Sequence, residues 1–159
     1  APLSAEEVVT ATILAACSRS IIIASISIIV FSFIIDINIT SFTHVIIFTF
    51  LSSFILGAAG FIAGLWAEKF DHMATVTNFL IVPLSYLSGT FYSIDRLPSV
   101  LHTISKLNPF FYMIDGFRYG FIGTSDGSII YGIIYLTILS FVTWYIAYLL
   151  YKRGYKIKF

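Results

Sequence analysis

The residues best able to carry out chemistry are three histidines, one cysteine and many hydroxyls, and their spacing does not assemble a catalytic or metal site. His44, His72 and His102 lie in different polar links and form no H-E-x-x-H or Cys/His cluster, so no metal is expected. No G-x-S-x-G turn occurs, and Ser and Thr in apolar helices usually bond their own backbone. Cys17, among apolar neighbours, is typical of a small packing residue. The sequence therefore predicts no catalytic residues and no cofactor.

Asp115 and Arg118 are oppositely charged and lie three residues apart in a predicted helix, so their side chains can pair. Opposite charges three apart on an exposed helix attract by only about 0.2–0.5 kcal/mol. When such a pair is removed from water, the attraction between its two charges becomes stronger, and breaking the pair costs more free energy. Two interpretations stay open: a structural ion pair, or a functional role in contacting a substrate or shaping a gate.

Binding of nucleotides or nucleic acids is not predicted either. The phosphate loop G-x-x-x-x-G-K-[ST] is absent, so the chain has no nucleotide site of that kind. The formal net charge is +1 and there is no long basic run, which argues against a nucleic-acid partner. These observations point away from an enzyme.

Charge is scarce and unevenly placed, with nine basic and eight acidic residues among 159. A bilayer core of about 30 Å requires roughly 20 consecutive apolar residues in a helix, and the uncharged stretches are 20–35, 37–67, 72–94 and 127–151. Apolar residues occupy successive positions and do not alternate, which excludes a transmembrane β-barrel. We expect a single transmembrane domain of an all-α membrane protein, with four transmembrane helices at about 16–35, 45–66, 73–94 and 128–151.

The N-terminal residues predict a capped helix. Ser4 and Glu7 have the S-x-x-E spacing of a capping box, with Glu6 between them. We expect an amphipathic helix over 4–15 that lies at the membrane surface before the chain turns into the first span. Arg19, one turn inside that span, either reaches back to the lipid head groups or has a specific partner.

Two features of the middle spans concern helix packing. Gly57, Gly60 and Gly64 lie in a run of small residues, and spacing by four lets another helix approach closely. Packing within one subunit and contact in a dimer both remain open. Pro83 removes a backbone donor from the third span and is expected to kink it, with nearby Ser and Thr hydroxyls available to the freed carbonyl.

Residues 95–127 are too polar to span a membrane and too apolar for an ordinary loop. Apolar residues at helical spacing predict one short helix before Asn108-Pro109 breaks it, and an aromatic second helix follows. Neither reaches 20 residues, so we expect two short re-entrant or interfacial helices that enter the membrane from one side. Lys and Arg are concentrated in the C-terminal tail, which predicts that both ends are cytoplasmic.

Residues 83–123 strongly resemble the signature region of ABC-2 type transporter permeases. The matching elements are P-L-x-x-L-S-G-x-F-Y from Pro83, then L-P, then L-N-P-x-x-Y-x-x-x-x-F-R from Leu107. The first four residues, Ala-Pro-Leu-Ser, look similar to the turn that opens the cytoplasmic coupling helix of the family. Members have six spans and an amphipathic N-terminal helix. We therefore expect this chain to correspond to their last four spans, without that helix and the first two spans.

The resemblance implies the permease subunit of an ATP-driven exporter, in which two permease subunits, here expected as a homodimer, work with two separate ATPase subunits. It implies a hydrophobic drug, lipid or lipid-linked saccharide as substrate, contact with membrane lipids, and a bacterial inner membrane location. The alternative is a non-transporting structural or assembly subunit. Ser4, Glu6 and Glu7 are the residues expected to couple the permease to the ATPase. Conformational change or gating would involve Pro83, Gly89, Phe91, Tyr92, Asn108, Pro109, Tyr112, Asp115 and Arg118.

Overall fold

Three long helices dominate the structure, a computed structural model that describes residues 3–67, 70–89 and 98–154. Within those ranges the chain is helical and has no strand, so the all-α prediction is confirmed. A π-helical turn, Thr77–Ile81, separates two of the shorter helices. The α-helices in chain order are α1 (Ala5–Ser32), α2 (Phe42–Trp66), α3 (Phe70–Val76), α4 (Val82–Tyr86), α5 (Ser99–Leu107), α6 (Pro109–Ile122) and α7 (Ile129–Lys152).

Helices α1, α2 and α7 are long and apolar enough to cross a membrane. They contain 28, 25 and 24 residues. Large apolar side chains such as Ile22 on α1, Ile46 on α2 and Phe141 on α7 are more than half exposed. Helices that are apolar on nearly every side are covered by lipid, so the chain is a multi-pass membrane protein.

Helix α1 begins as predicted but continues further than expected. The Ser4 hydroxyl accepts from the Glu7 amide at 3.3 Å, and the Ser4 amide donates to the Glu7 carboxylate at 2.7 Å, so the capping box is confirmed. A separate surface helix over 4–15 is not seen, because one helix runs through residue 15 without a break. Its sequence contains no Gly or Pro, so nothing interrupts the backbone hydrogen bonds.

The predicted third span, 73–94, consists of short helical segments where the structure describes it. Pro83 has no amide hydrogen to donate to the carbonyl four residues earlier. The helix widens just before it, and the Val82 amide bonds the Thr77 carbonyl five residues back. Helix α4 then ends at Tyr86, and residues 90–97 lie outside the described ranges. The interruption at Pro83 therefore takes the form of a π-turn, and a fourth complete span is not confirmed.

The predicted break at Asn108-Pro109 is confirmed and separates α5 from α6. These helices have 9 and 14 residues, too few to cross a bilayer. The Asn108 side chain accepts from the Phe110 amide at 3.0 Å, and Pro109 takes the first helical position, where a missing donor costs nothing. Gly123 ends α6 with a φ of 76°, a left-handed conformation that glycine adopts without strain.

The buried apolar residues form two clusters that share α2 and α7. Cys17 belongs to the second cluster, so its predicted role as a packing residue is confirmed. The first cluster joins α2, α6 and α7 through Phe48, Ile55, Phe111, Tyr112, Met113 and Leu136. The second joins α1, α2 and α7 through Val9, Ile13, Cys17, Ala58 and Ala147.

Helix α6 approaches α2 closely at two glycines four residues apart. A Cβ atom on Gly116 would lie 2.1 Å from the Phe48 ring, and one on Gly120 would lie 2.4 Å from a Val45 methyl. Both distances are far shorter than van der Waals contact, so only glycine fits at either position. The Gly120 carbonyl also accepts from the Ser41 amide at 2.8 Å. This G-x-x-x-G spacing is visible in the sequence, but it was not among the predicted packing sites.

The three glycines predicted to pack helices behave differently from one another. A Cβ on Gly57 would lie 3.1 Å from the Ala16 Cβ, so Gly57 does bring α2 close to α1. Gly60 and Gly64 have no heavy atom within 4 Å of such a Cβ among the described residues. Packing within the chain therefore accounts for Gly57 and leaves the face containing Gly60 and Gly64 open in this part of the molecule.

We expect Gly116→Ala to lower the free energy of unfolding by about 1–3 kcal/mol, because the added methyl overlaps the Phe48 ring. Gly60→Ala is the matched control, and its better helix propensity should leave stability unchanged or raise it by up to about 1 kcal/mol. Titration of both variants with SDS in mixed micelles, followed by circular dichroism, measures the difference. Equal stabilities would contradict the close packing of α6 on α2.

Candidate functional site

The predicted sites lie at opposite ends of the helix bundle. The beginning of α1 and the end of α7 share one end, where the Trp144 indole donates to the Thr10 hydroxyl at 3.1 Å. At the other end, the link before α2 meets the end of α6, and the Thr40 hydroxyl donates to the Phe121 carbonyl at 2.8 Å. The predicted coupling residues are therefore separated by the length of α1 from the end that contains the Asp115–Arg118 pair.

The first of these sites is the exposed start of α1. Glu7 uses its carboxylate to complete the capping box with Ser4. Glu6 is exposed and takes no part in the cap. The two acidic side chains also suit the positive end of the helix dipole. The structure thus shows a capped helix end with two acidic side chains, of which Glu6 is the one with no role in capping.

Asp115 is the centre of a charged network at the other end. Its carboxylate is 3% exposed and accepts three hydrogen bonds: from Arg118 at 2.6 Å, from the Asp126 amide at 2.9 Å and from the Gly127 amide at 2.9 Å. Arg118 also pairs with the Asp126 carboxylate at 2.9 Å. Asp115 therefore fastens the loop before α7 to α6, which favours the structural interpretation of the ion pair.

Asn108 occupies the junction between α4 and α6. It is buried, and its side-chain NH₂ donates to the Leu84 carbonyl at 2.6 Å while its oxygen caps α6. Pro83, the second residue of α4, lies one residue before Leu84 and is separated from the π-turn by Val82. Gly89 has a φ of 78°, so glycine is required in the turn that follows α4. Predicted gate residues Phe91 and Tyr92 lie outside the described ranges.

Tyr112 lies in the core. Its ring centroid is 5.0 Å from that of Phe111, 5.4 Å from Tyr131 and 5.2 Å from Tyr135, at angles typical of tilted or edge-to-face aromatic pairs. The Tyr135 hydroxyl donates to the Leu107 carbonyl at 2.9 Å. The cluster joins α6 and α7 and contacts the end of α5.

A groove that the sequence did not predict follows α1 where it faces α2 and α6. One part has a volume of about 750 Å³, and the part toward the link before α2 has a volume of about 830 Å³. The two parts share Ala24 and Phe117. The Ser20 and Ser53 hydroxyls hydrogen-bond to each other at its wall. The α1 side of the first part is formed by Thr12, Ala16, Ser20 and Ala24.

The length of the groove is comparable to the thickness of a membrane. From Thr12 to Phe31, a rise of about 1.5 Å per residue gives roughly 28 Å. The hydrocarbon core of a bilayer is about 30 Å thick. The lining is mostly apolar, and its small residues recur every four positions along α1. That recurrence is the sequence signal that could have revealed the groove.

The part of the chain that the structure describes contains no candidate metal site. No three His, Cys, Asp or Glu side chains there are grouped in a way that could hold a metal ion. Many hydroxyls in the long helices bond carbonyls of their own helix, as the sequence predicted: Thr12 to Val8, for example, at 2.8 Å and Thr137 to Ile133 at 2.7 Å.

An all-α bundle with membrane-length apolar helices defines a polytopic membrane protein. The family model "ABC-2 type transporter" matches residues 1–122, so the chain belongs to that family. Its membership confirms the resemblance found in residues 83–123.

Two similar relatives carry the same name. "Inner membrane transport permease YadH" of Escherichia coli K12 is 36% identical over 124 residues, which cover 77% of this chain and 48% of the relative. The protein of the same name in Shigella flexneri gives the same figures. The chain thus spans about half the length of the curated relatives it matches. No solved structure matches it significantly.

Asp115→Ala should lower the free energy of unfolding by about 3–5 kcal/mol, because it removes the acceptor of two loop amides and leaves Arg118 without its shorter ion pair. Asp126→Asn removes the partly exposed partner alone and should cost about 1 kcal/mol or less. Unfolding by SDS, together with hydrogen exchange of the amides of Asp126 and Gly127, measures both effects. Similar losses in the two variants would contradict the central position of Asp115.

Proposed function

We propose that this chain acts in the permease subunit of an ATP-driven ABC-2 exporter in a bacterial inner membrane. A separate ATPase subunit would hydrolyse ATP, and the bundle would change between two packings. The observation that carries the proposal is the family match over residues 1–122, which extends from the capped start of α1 to the end of α6. The matched YadH protein, described as an inner membrane transport permease, supports the location.

The start of α1 is the proposed contact with the ATPase. Ser4 and Glu7 fix this helix end, and Glu6 presents an exposed carboxylate that takes no part in the cap. Because α1 is one uninterrupted helix of 28 residues, a push at its first turn is carried along its axis to the wall of the groove. A helix broken at residue 15 would absorb much of that displacement at the break.

The groove along α1 is the proposed path for the transported molecule. Its apolar, membrane-length lining suits a hydrophobic drug, a lipid or the lipid part of a lipid-linked saccharide. The open surface at Gly64 is the proposed contact with a second permease subunit, since close helix approach needs small residues, whereas Gly60 lines the groove. We place the start of α1 and the end of α7, which share one end of the bundle, on the cytoplasmic side.

Helices α5 and α6 are proposed to lie on the outward side and to enter the membrane without crossing it. The charged network of Asp115 and Arg118 would then hold the outward loop before α7 in place. Pro83, Gly89 and Asn108 are the proposed conformational positions, because they lie where α3, α4 and α6 are joined.

Co-purification tests the proposal directly. The full gene product is expressed with the ATPase encoded beside it, and we expect a stable complex with ATPase activity in lipid nanodiscs. Glu6→Arg should weaken that complex by about 1 kcal/mol or more, since it reverses an exposed charge without touching the cap. Glu7→Gln should retain the capping box, because Gln replaces Glu in that motif.

Asp36→Arg is the matched charge reversal at the far end of α1, and it should leave association with the ATPase unchanged. If Glu6→Arg and Asp36→Arg weaken the complex equally, the start of α1 is not the coupling surface. If no ATPase associates with the full gene product, the exporter proposal itself is wrong.

A second experiment tests the groove. Ala24→Trp places a bulky ring where the two parts of the groove meet, and we expect about tenfold slower transport of a hydrophobic dye or fluorescent phospholipid in proteoliposomes. Ile22→Trp is the control, because Ile22 is exposed on the opposite side of α1. Equal transport by the two variants would exclude the groove as the path.

A further inference from the structure

The segment formed by α3, the π-turn and α4 has few attachments to the rest of the bundle. Its side chains Phe79, Leu80 and Tyr86 are 80%, 57% and 58% exposed. Among the described residues it packs on the bundle at two places, where α3 meets α2 and where α4 meets α6. The packing of α4 on α6 is thus one of the two helix contacts that the described residues give this segment.

Asn108 provides one of those contacts with both ends of its side chain. The NH₂ group donates to the Leu84 carbonyl at 2.6 Å, and the oxygen accepts from the Phe110 amide at 3.0 Å. Leu84 lies in the last turn of α4, where helix carbonyls lack partners within the helix. One buried amide thus completes the end of α4 and the beginning of α6 at the same time.

The π-turn lies on the other side of α4. Its Thr77 to Val82 hydrogen bond closes a wider ring than an α-helical bond, and Pro83 prevents the normal register from continuing through this point. Such turns are places where a helix can change direction. Helix α4 is therefore separated from α3 by the π-turn and fastened to α6 by a side chain.

We propose that Asn108 is a positioning residue that holds α4 on α6, so that the two helices move as one unit while the π-turn takes up the change in direction. The proposal deepens the proposed function, because the movement of this unit is one step of the transport cycle. It predicts that the separation of α4 and α6 stays constant when the bundle changes conformation.

Asn108→Asp separates the two roles of the side chain. Aspartate caps a helix as well as asparagine does, so α6 should keep its N-terminus. A carboxylate cannot donate to the Leu84 carbonyl, and the two acceptors repel each other. Asn108→Ser is a second variant that keeps a cap and is too short to reach α4. Asn38→Asp, the same change in an exposed link, is the control.

The measurement is the distance between spin labels on Val82→Cys in α4 and Ile122→Cys in α6, in the full gene product with the buried Cys17 replaced by Ala. In nanodiscs without ATPase, we expect a narrow distribution for the native residue and for Asn38→Asp. Asn108→Asp and Asn108→Ser should broaden or shift it by roughly 3 Å, about the length of the lost hydrogen bond.

The ATPase complex with Mg²⁺, ATP and vanadate provides the second measurement. With Asn108 present, the label separation should be the same with and without nucleotide, and in the Asn108 variants it should differ between the two states. A residue that only stabilised the fold would lower the unfolding midpoint without producing this state-dependent difference. Two results would overturn the proposal. One is that the label distances in nanodiscs have the same distribution in the native protein and in the Asn108 variants. The other is that the label distance in the native protein changes when nucleotide is added.

Failure of the two proposals can be told apart. The nanodisc distances need no ATPase, so they test the Asn108 contact even if no complex forms. Absence of a complex contradicts the exporter proposal and leaves the result on Asn108 standing by itself.

Discussion

The close approach of α6 to α2 is the constraint on which the other features depend. Two glycines four apart let a helix of 14 residues rest directly on Phe48 and Val45, so a helix too short to cross the membrane is still held firmly. From that position α6 forms one side of the groove, caps itself with Asn108 and fastens the following loop with Asp115. Displacement of α6 would alter all three.

Much of the fold could be predicted because the membrane imposes simple rules. Long uncharged stretches identified the spans that became α2 and α7, and the shorter stretch 20–35, whose helix was expected to begin earlier, identified α1. Local residue chemistry identified the cap at Ser4 and the break before Pro109. No break appears at the predicted end of the surface helix near residue 15, since no residue there stops a helix and the boundary rested on amphipathic character alone. The surface position of residues 4–15 stays a prediction.

What the sequence did not reveal depends on contacts between distant residues. Asp115 could be paired with Arg118 from spacing, but its bonds to the amides of Asp126 and Gly127 arise only when the loop folds back on α6. Tyr112 matched a signature motif, but the motif did not reveal its packing among other aromatic rings, and its predicted role at a gate stays a prediction. Phe91 and Tyr92 lie outside the described ranges, and their predicted roles stay predictions.

The four-residue spacing along α1 has a geometrical consequence. Positions four apart on an α-helix do not form a line parallel to its axis, because each step overshoots a full turn; the row they form is inclined by about 26°. The row from Thr12 to Ala24 therefore winds obliquely around α1. An elongated molecule that followed it would cross the helix at an angle. Its two ends would face different neighbours, with more of α2 near Thr12 and more of α6 near Phe31.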